Sequence, residues 1–97
     1  MTLRLLLEAR QEIDDAFAYY EAQRPGLGER FIAALEHGYD RIEAYPRAWP
    51  RVRRGARWHV LKSFPYGIVY VIQPRGIVVI AVSHLSRRRG YWTNRVR

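Results

Sequence analysis

The fold is decided by one stretch of sequence, Phe64-Pro65-Tyr66-Gly67-Ile68-Val69-Tyr70-Val71-Ile72-Gln73-Pro74-Arg75-Gly76-Ile77-Val78-Val79-Ile80-Ala81-Val82-Ser83-His84. It contains two runs rich in β-branched and aromatic residues, 66–72 and 77–84, joined by a Pro/Gly turn, and this pattern predicts a β-hairpin. Pro74 suits a position with a fixed negative φ, and Gly76 can take a positive φ to close the turn. Every position of 77–82 is apolar, which predicts a central strand covered on both faces.

The first half of the chain predicts the element that covers this hairpin. Residues 2–7 are expected to form a strand, and two stretches with apolar residues at helical spacing follow, Glu8 to about Gln23 and about Leu27 to Tyr45. Arg24-Pro25-Gly26 separates the helices, and Pro46 stops the second. We expect the helical hairpin to pack on the sheet through Ile13, Phe17, Phe31, Leu35 and Ile42.

Gly38 lies within the apolar stripe of the second predicted helix. Glycine costs about 1 kcal/mol relative to alanine in a helix interior. We therefore expect the backbone at Gly38 to approach another helix or the sheet closely.

The remaining segments complete a four-stranded sheet. Residues 47–56 are expected to form a loop, and the weak alternation of 57–63 predicts a strand paired with 66–72. Tyr66 and Tyr70 share a parity with Ile68 and Ile72, so they are expected to face the helices. The order β-α-α-β-β-β predicts a single α+β domain over residues 1–97, with a helical hairpin packed on a mostly antiparallel four-stranded sheet. Trp49 and Trp58 are interpreted as core or loop anchors.

Charge is divided unevenly along the chain, whose net charge is +8. All nine acids lie between Glu8 and Glu43, and with five arginines they give residues 1–45 a net charge of −4. Residues 46–97 hold eleven arginines, one lysine and no acid, a net charge of +12. One strongly basic half predicts an acidic or polyanionic partner. Arginine suits such a partner, because it pairs with carboxylate or phosphate through two hydrogen bonds.

Several classes of site and partner are not supported by the sequence. The chain has no cysteine, so no disulfide or thiolate metal site is possible, and a reducing compartment is favoured. The three histidines, His37, His59 and His84, are too scattered for a metal site, and no glycine-rich loop precedes a helix. The apolar run near the N-terminus is too short for a membrane span and has no cleavage site. We expect a cytoplasmic protein without metal, cofactor or membrane partner.

Landmarks along nearly the whole chain resemble the RelE/ParE superfamily of toxins from type II toxin–antitoxin systems. The first helix has a similar pattern in Ala9 and Tyr19-Tyr20, and the second resembles the family in 27–31 and in Ile42 to Pro46, followed by Pro50. The strands and tail resemble it in Phe64-Pro65-Tyr66, Ile68, Tyr70, Ala81-Val82-Ser83-His84, Arg87 or Arg88, Tyr91-Trp92 and Arg95. No single landmark is specific to the superfamily, but their order and the total length together are fairly specific. The residues quoted are most similar to the ParE-type branch.

The resemblance implies a small toxin that is neutralised by a cognate antitoxin encoded beside it. ParE-type members are inhibitors of DNA gyrase, and RelE-type members are ribosome-dependent mRNA endonucleases. One fold thus serves two activities, so the fold alone cannot decide between gyrase and the ribosome with its mRNA as the target. A basic domain that binds nucleic acid directly, without toxicity, is a third hypothesis.

The residues favour a protein-binding inhibitor over an enzyme. RNA cleavage without a metal needs a base, an acid and cations at the phosphate, and the candidates for a nuclease are Lys62, His84, Arg87 and Tyr91, with His59 as a further proton carrier. No carboxylate follows Glu43, so a carboxylate base would have to come from a helix. The strand positions that could carry a basic cluster, Val69, Val71 and Ile80, are apolar. His84 is interpreted chiefly as an anchor of the C-terminal tail.

Two sets of residues are expected to bind partners, one basic and aromatic and the other wholly basic. The target is expected to contact Arg87, Arg88, Arg89, Tyr91 and Trp92, because arginine, tyrosine and tryptophan are enriched at binding hot spots. Trp92 is also expected to close part of the core. An acidic, partly disordered antitoxin segment is expected to bind Arg53, Arg54 and Arg57.

Overall fold

The computed structural model describes residues 2–96. Its main elements, in chain order, are β1 (Leu3–Leu5), α1 (Leu7–Gln23), α2 (Leu27–Ala44), β2 (Arg57–Val60), β3 (Tyr66–Gln73) and β4 (Gly76–His84), with short 3-10 turns at Arg53–Gly55 and Thr93–Arg95. The strands form one sheet in the order β1-β4-β3-β2, with β1 parallel to β4 and the other pairs antiparallel. The predicted α+β fold and its helical hairpin on a mostly antiparallel sheet are confirmed.

The joint between the helices depends on two glycines and one acidic side chain. Gly26 has φ +88°, a left-handed conformation that favours glycine. Glu21 accepts hydrogen bonds from the backbone N–H of Gly26 at 2.9 Å and of Gly28 at 3.0 Å. A Cβ on Gly28 would lie 2.9 Å from the ring of Phe17. Phe17 therefore packs between the helices, and the prediction that it packs on the sheet is wrong.

The face of the sheet beneath the helices holds the larger core. Phe31, Leu35 and Ile42 are fully buried there, and Ile13 packs against them at the edge. Ile68 and Tyr70 also face this core, as their shared parity predicts. Helix α2 ends at Ala44, so Tyr45, the expected last residue of the helix, lies just beyond it and is exposed.

Helix α2 comes closest to the sheet at Gly38. A Cβ at this position would lie 2.9 Å from Cδ1 of Ile68 and 3.1 Å from Cδ2 of Leu61. The expected close approach is therefore confirmed, and it is made to the sheet. It brings α2 within reach of β2 and leaves a small pocket between them.

The opposite face of the sheet is covered by the C-terminal tail and by the loop before β2. Trp92 is buried here with Ala56, Val69, Val78 and Ala81. The strand 77–82 is thus covered on both faces, as predicted, although the helices supply only one cover. The part that Trp92 was expected to play in closing the core is confirmed.

A β-bulge at Ile80 changes the alternation of β4. Val69 pairs with Ala81, whereas Tyr70 pairs with Val79, so Ile80 has no opposite residue. Ile80 and Ala81 consequently both face the tail, and Val82 returns to the face beneath the helices. The bulge therefore places two consecutive residues of β4 on the face beneath the tail.

Two strand boundaries differ from the predicted ones. β1 ends at Leu5, because Leu6 already precedes the first turn of α1 and its N–H bonds the carbonyl of Val79. β2 ends at Val60 rather than Ser63, and Ser63 adopts φ +73° in the connection to β3. Both predicted strands exist but are shorter than expected.

Candidate functional site

A basic groove lies on the side of the sheet that the tail covers. It has a volume of about 660 Å³ and lies between the loop before β2 and the tail. Its lining residues are Arg51, Val52, Arg53, Trp58, Ser83, His84, Leu85, Arg87, Arg88, Arg89, Gly90 and Trp92. Within residues 2–96 this lining includes five arginines and no acidic side chain. The groove therefore concentrates the positive charge of the second half of the chain.

Two glycines allow large side chains to form the groove. The indole of Trp58 lies against Gly67, where a Cβ would come within 2.6 Å of the ring. Gly90 has φ +77°, and a Cβ there would lie 2.9 Å from Nη1 of Arg53. The Arg53 guanidinium thus rests against the tail, and a side chain at position 90 would displace it.

Glu12 of α1 fastens the tail to the bulged edge of β4. One carboxylate oxygen accepts hydrogen bonds from the backbone N–H of Val82 at 3.0 Å and from Nη1 of Arg95 at 3.0 Å. The other accepts from the Tyr91 hydroxyl at 2.5 Å and from Nη2 of Arg95 at 3.3 Å. Arg95 also donates to the carbonyl of Ile80 at 3.2 Å. Glu12 and Arg95 thus bond the N–H of Val82 and the carbonyl of Ile80, which lie beyond the part of β4 that pairs with β1. Their ion pair also holds the tail beside the groove.

Tyr91 lies between this ion pair and the groove. The guanidinium carbon of Arg87 lies 3.8 Å from the centre of the Tyr91 ring, a cation–π contact. Burial, followed by the hydrogen bond to Glu12, raises the pKa of Tyr91 to about 12. Tyr91 therefore acts at neutral pH as a hydrogen-bond donor and as a support for Arg87.

Stability at alkaline pH tests the hydrogen bond of Tyr91. Because its folded-state pKa lies above the ordinary value of 10.0, its contribution is complete below pH 10 and is lost as the pH rises through about 12. Tyr39 and Tyr70 behave alike, since burial raises the pKa of each to about 12. Denaturant titrations between pH 9 and 12 should show a less steep loss of stability for Tyr91→Phe than for the wild type. Parallel curves would contradict this expectation.

The residues expected to bind the target mostly converge. Arg87, Arg88 and Arg89 line the groove together with Trp92, whose ring is buried and forms part of its base. Tyr91 lies behind Arg87, where it supports the arginine.

The residues expected to bind an antitoxin do not form one cluster. Arg53 lines the groove, whereas Arg54 is exposed and donates to the carbonyl of Val96 at 3.1 Å. Arg57 donates to the carbonyls of Arg47 at 3.1 Å and Trp49 at 2.8 Å. Arg57 therefore holds the loop before β2, and of these three arginines only Arg53 lines the groove.

The candidate nuclease residues are divided between two places. His84 and Arg87 line the basic groove, whereas Lys62 lines the small pocket between α2 and β2. Nδ1 of His84 accepts a hydrogen bond from the backbone N–H of Ser86 at 3.0 Å, so a neutral ring carries its proton on Nε2. His84 thus shapes the turn into the tail, in agreement with its interpretation as an anchor. His59 is buried beneath α2, away from the groove.

Glu12 is the residue that the sequence interpretation missed. A carboxylate from a helix does reach the tail, but it is paired with Arg95. Its signal in the sequence is its helical spacing, three residues after Ala9 and four before Ala16, the two buried residues of α1.

Neither a metal centre nor a membrane span is found within residues 2–96. No three histidine, cysteine or acidic side chains lie close enough together to hold a metal ion. None of the helices there combines the length and hydropathy needed to cross a bilayer.

Comparisons with known proteins agree with this architecture. Residues 3–89 match the model of a family described as the ParE toxin of the type II toxin–antitoxin system, parDE. A solved structure titled "Chromosomal ParDE TA system from P. aeruginosa" superimposes with a TM-score of 0.76 at 14% sequence identity, covering 87% of this chain and 95% of the other. At this identity the structural likeness supports the fold alone. No curated protein matches the sequence.

The family match spans β1, the helical hairpin, the sheet and the arginine run of the tail, and so includes nearly every residue that lines the groove. The chain therefore belongs to the ParE toxin family of type II toxin–antitoxin systems.

Proposed function

We propose that the free protein inhibits growth by binding DNA gyrase through the basic groove and the adjacent tail. The observation that carries the proposal is the acid-free groove lined by Arg51, Arg53 and the arginine run 87–89, in a chain of the ParE toxin family. Arginines with apolar and aromatic neighbours in one concave surface suit a protein partner. This activity needs no chemical step by the toxin.

The alternative, a ribosome-dependent mRNA endonuclease, has less support. Lys62 is separated from His84 and Arg87, so these candidates do not form one catalytic set. The carboxylate of Glu12, which reaches the tail beside the groove, is already bound by Arg95 and Tyr91. Val69 and Ile80, at strand positions considered for a basic cluster, are buried instead in the core beneath the tail.

Induction of the toxin in cells separates the two activities. A gyrase inhibitor should change plasmid supercoiling and induce the DNA-damage response before any loss of mRNA. Codon-specific cuts in mRNA on purified translating ribosomes, abolished in His84→Ala or Lys62→Ala, would overturn the proposal in favour of the nuclease. Salt-sensitive DNA binding by the isolated protein without growth inhibition would favour the third hypothesis.

The same groove offers a binding place for an antitoxin. We propose that the cognate antitoxin contributes an acidic, partly disordered segment that folds onto this surface and masks it. Val52 and Leu85 line the groove and are 38% and 49% exposed, so they can anchor apolar side chains between arginine–carboxylate pairs. The free edge of β2 near Val60 could also pair with an extended segment.

Charge reversal in the groove is expected to slow association with the antitoxin. Charge steers the encounter of two proteins more than it sets their final affinity. The triple change Arg53→Glu, Arg88→Glu and Arg89→Glu should lower the association rate constant about 10-fold or more at low salt. It should also flatten the salt dependence, measured by surface plasmon resonance at two salt concentrations.

A matched variant distinguishes the effect of the groove arginines on association from the effect of net charge alone. Arg24→Glu, Arg30→Glu and Arg75→Glu change the net charge equally at exposed positions outside the groove. The control should retain most of the wild-type association rate. Equal slowing in both triple variants would mean that the antitoxin does not use the groove.

A further inference from the structure

A second pocket, between α2 and β2, lies apart from the basic groove. It has a volume of about 300 Å³ and is lined by Ala34, His37, Gly38, Arg41, Trp49, His59, Val60, Leu61 and Lys62. The close approach of α2 to the sheet at Gly38 forms its base. Within residues 2–96 its lining contains two cationic side chains and two histidines but no acid.

Two polar atoms of this pocket are buried without a hydrogen-bond partner. They are Nε1 of Trp49 and Nδ1 of His59, and neither has an acceptor or donor among residues 2–96. His59 is only 9% exposed. The two rings lie edge to face with their centres 4.3 Å apart. An indole N–H is a donor only, and leaving it buried and unpaired is costly, so Trp49 calls for an acceptor.

The positive charges around Trp49 and His59 favour an acceptor that is negatively charged. The guanidinium carbon of Arg41 lies 5.7 Å from the centre of the Trp49 ring, and Lys62 and His37 complete the rim. Burial, followed by the charges of Arg41 and His37, lowers the pKa of His59. The neutral imidazole can carry its proton on Nδ1 and donate beside the indole N–H. The pocket thus combines unpaired donors with positive charge.

We propose that this pocket binds a carboxylate, with one oxygen accepting from Trp49 Nε1 and His59 Nδ1 and the other from Arg41. Two uncharged donors on neighbouring rings and one guanidinium match the two oxygens and single charge of a carboxylate. Both ring nitrogens are enclosed, so a ligand reaches them only when a neighbouring side chain moves. The inference concerns the isolated protein and does not depend on the proposed toxin activity or on gyrase.

The three tryptophans give the test an internal control. Trp49 reports on this pocket, whereas Trp58 and Trp92 line the basic groove. Assigned indole N–H resonances should be followed by NMR during titrations with sodium acetate, with a short peptide containing one glutamate and with inorganic phosphate, at constant ionic strength. We expect a saturable shift of the Trp49 indole with acetate or the peptide, at concentrations where the other indoles change little.

Matched variants locate the binding. Arg41→Gln should weaken acetate binding about 5- to 10-fold, the loss of one charge-assisted hydrogen bond. Arg47→Gln removes an exposed arginine outside the pocket and should leave binding unchanged. Tighter binding of the peptide than of acetate would identify a partner protein as the source of the carboxylate, and the reverse would identify a free small acid. No saturable Trp49 shift, a response to phosphate alone, or equal binding by Arg41→Gln and wild type would overturn the proposal.

Discussion

Replacing Phe31 by alanine is expected to lower the free energy of unfolding by about 3–5 kcal/mol, the usual cost of truncating a fully buried phenylalanine. The ring is completely buried, and its centre lies 5.4 Å from that of Tyr20, 5.4 Å from that of Phe64 and 5.1 Å from that of Tyr66. This cluster joins both helices to the start of β3, so the surrounding rings cannot collapse into the cavity without moving the helical hairpin. A small domain has only about 5–15 kcal/mol to lose.

The measurement is a denaturant titration, with Tyr45→Ala as the control. Tyr45 is an aromatic residue just beyond α2, but 60% of it is exposed, so its removal should cost less than about 1 kcal/mol. A loss below 1 kcal/mol for Phe31→Ala would contradict the packing of α2 on the sheet. The midpoint should fall without a large change in the slope, because the surface exposed on unfolding is nearly the same.

The fold could be predicted in most respects because its elements carry strong local signals. The Pro/Gly break at 24–26 and Pro46 fixed the helix ends within about two residues, and the apolar run 77–82 identified the central strand. The parity of Tyr66 and Tyr70 correctly gave the face beneath the helices. These inferences depend only on periodicity and turn residues, which are local properties of the chain.

The cover of the second sheet face could not be predicted with the same rules. It comes from the tail around Trp92 and from the loop at Ala56, which have no periodic pattern. The bulge at Ile80 could not be predicted either, because a wholly apolar run has no alternation that would show one residue left unpaired with β3. Long-range packing, rather than local preference, decides both features.

The candidate site was predictable by composition but not by arrangement. The acid-free second half of the chain correctly indicated a basic surface, and the run 87–89 lies on it. The contacts of Arg57 could not be predicted, because nothing local shows that its guanidinium will bond the carbonyls of Arg47 and Trp49. Glu12 was missed because its partners, Tyr91 and Arg95, lie 79 and 83 residues away in the chain.

Replacing Glu12 by alanine is expected to cost about 3 kcal/mol and to release the tail. Glu12 and Arg95 retain side-chain exposures of 14% and 16%, so the cost should lie at the low end of the range of about 3–5 kcal/mol for breaking a buried ion pair. The change leaves the Tyr91 hydroxyl and the N–H of Val82 without their acceptor, and it leaves the Arg95 guanidinium without a charge partner, bonded only to the carbonyl of Ile80. Asp14→Ala, an exposed acid on the same helix, should change stability by less than about 0.5 kcal/mol.

Hydrogen exchange and a double-mutant cycle separate this role from a general loss of stability. In Glu12→Ala the amides of residues 87–96 and of Val82 should lose protection before those of β3, because the partners of the carboxylate lie in the tail and at Val82. Arg95→Met should remove much of the penalty when combined with Glu12→Ala, since it takes away the unpaired charge, giving a coupling energy of about 1 kcal/mol or more. Additive effects, or uniform loss of protection across the sheet, would show that Glu12 does not fasten the tail. If the tail is released, the arginines at 87–89 lose their fixed positions, so Glu12→Ala should also weaken growth inhibition without altering any residue that lines the groove.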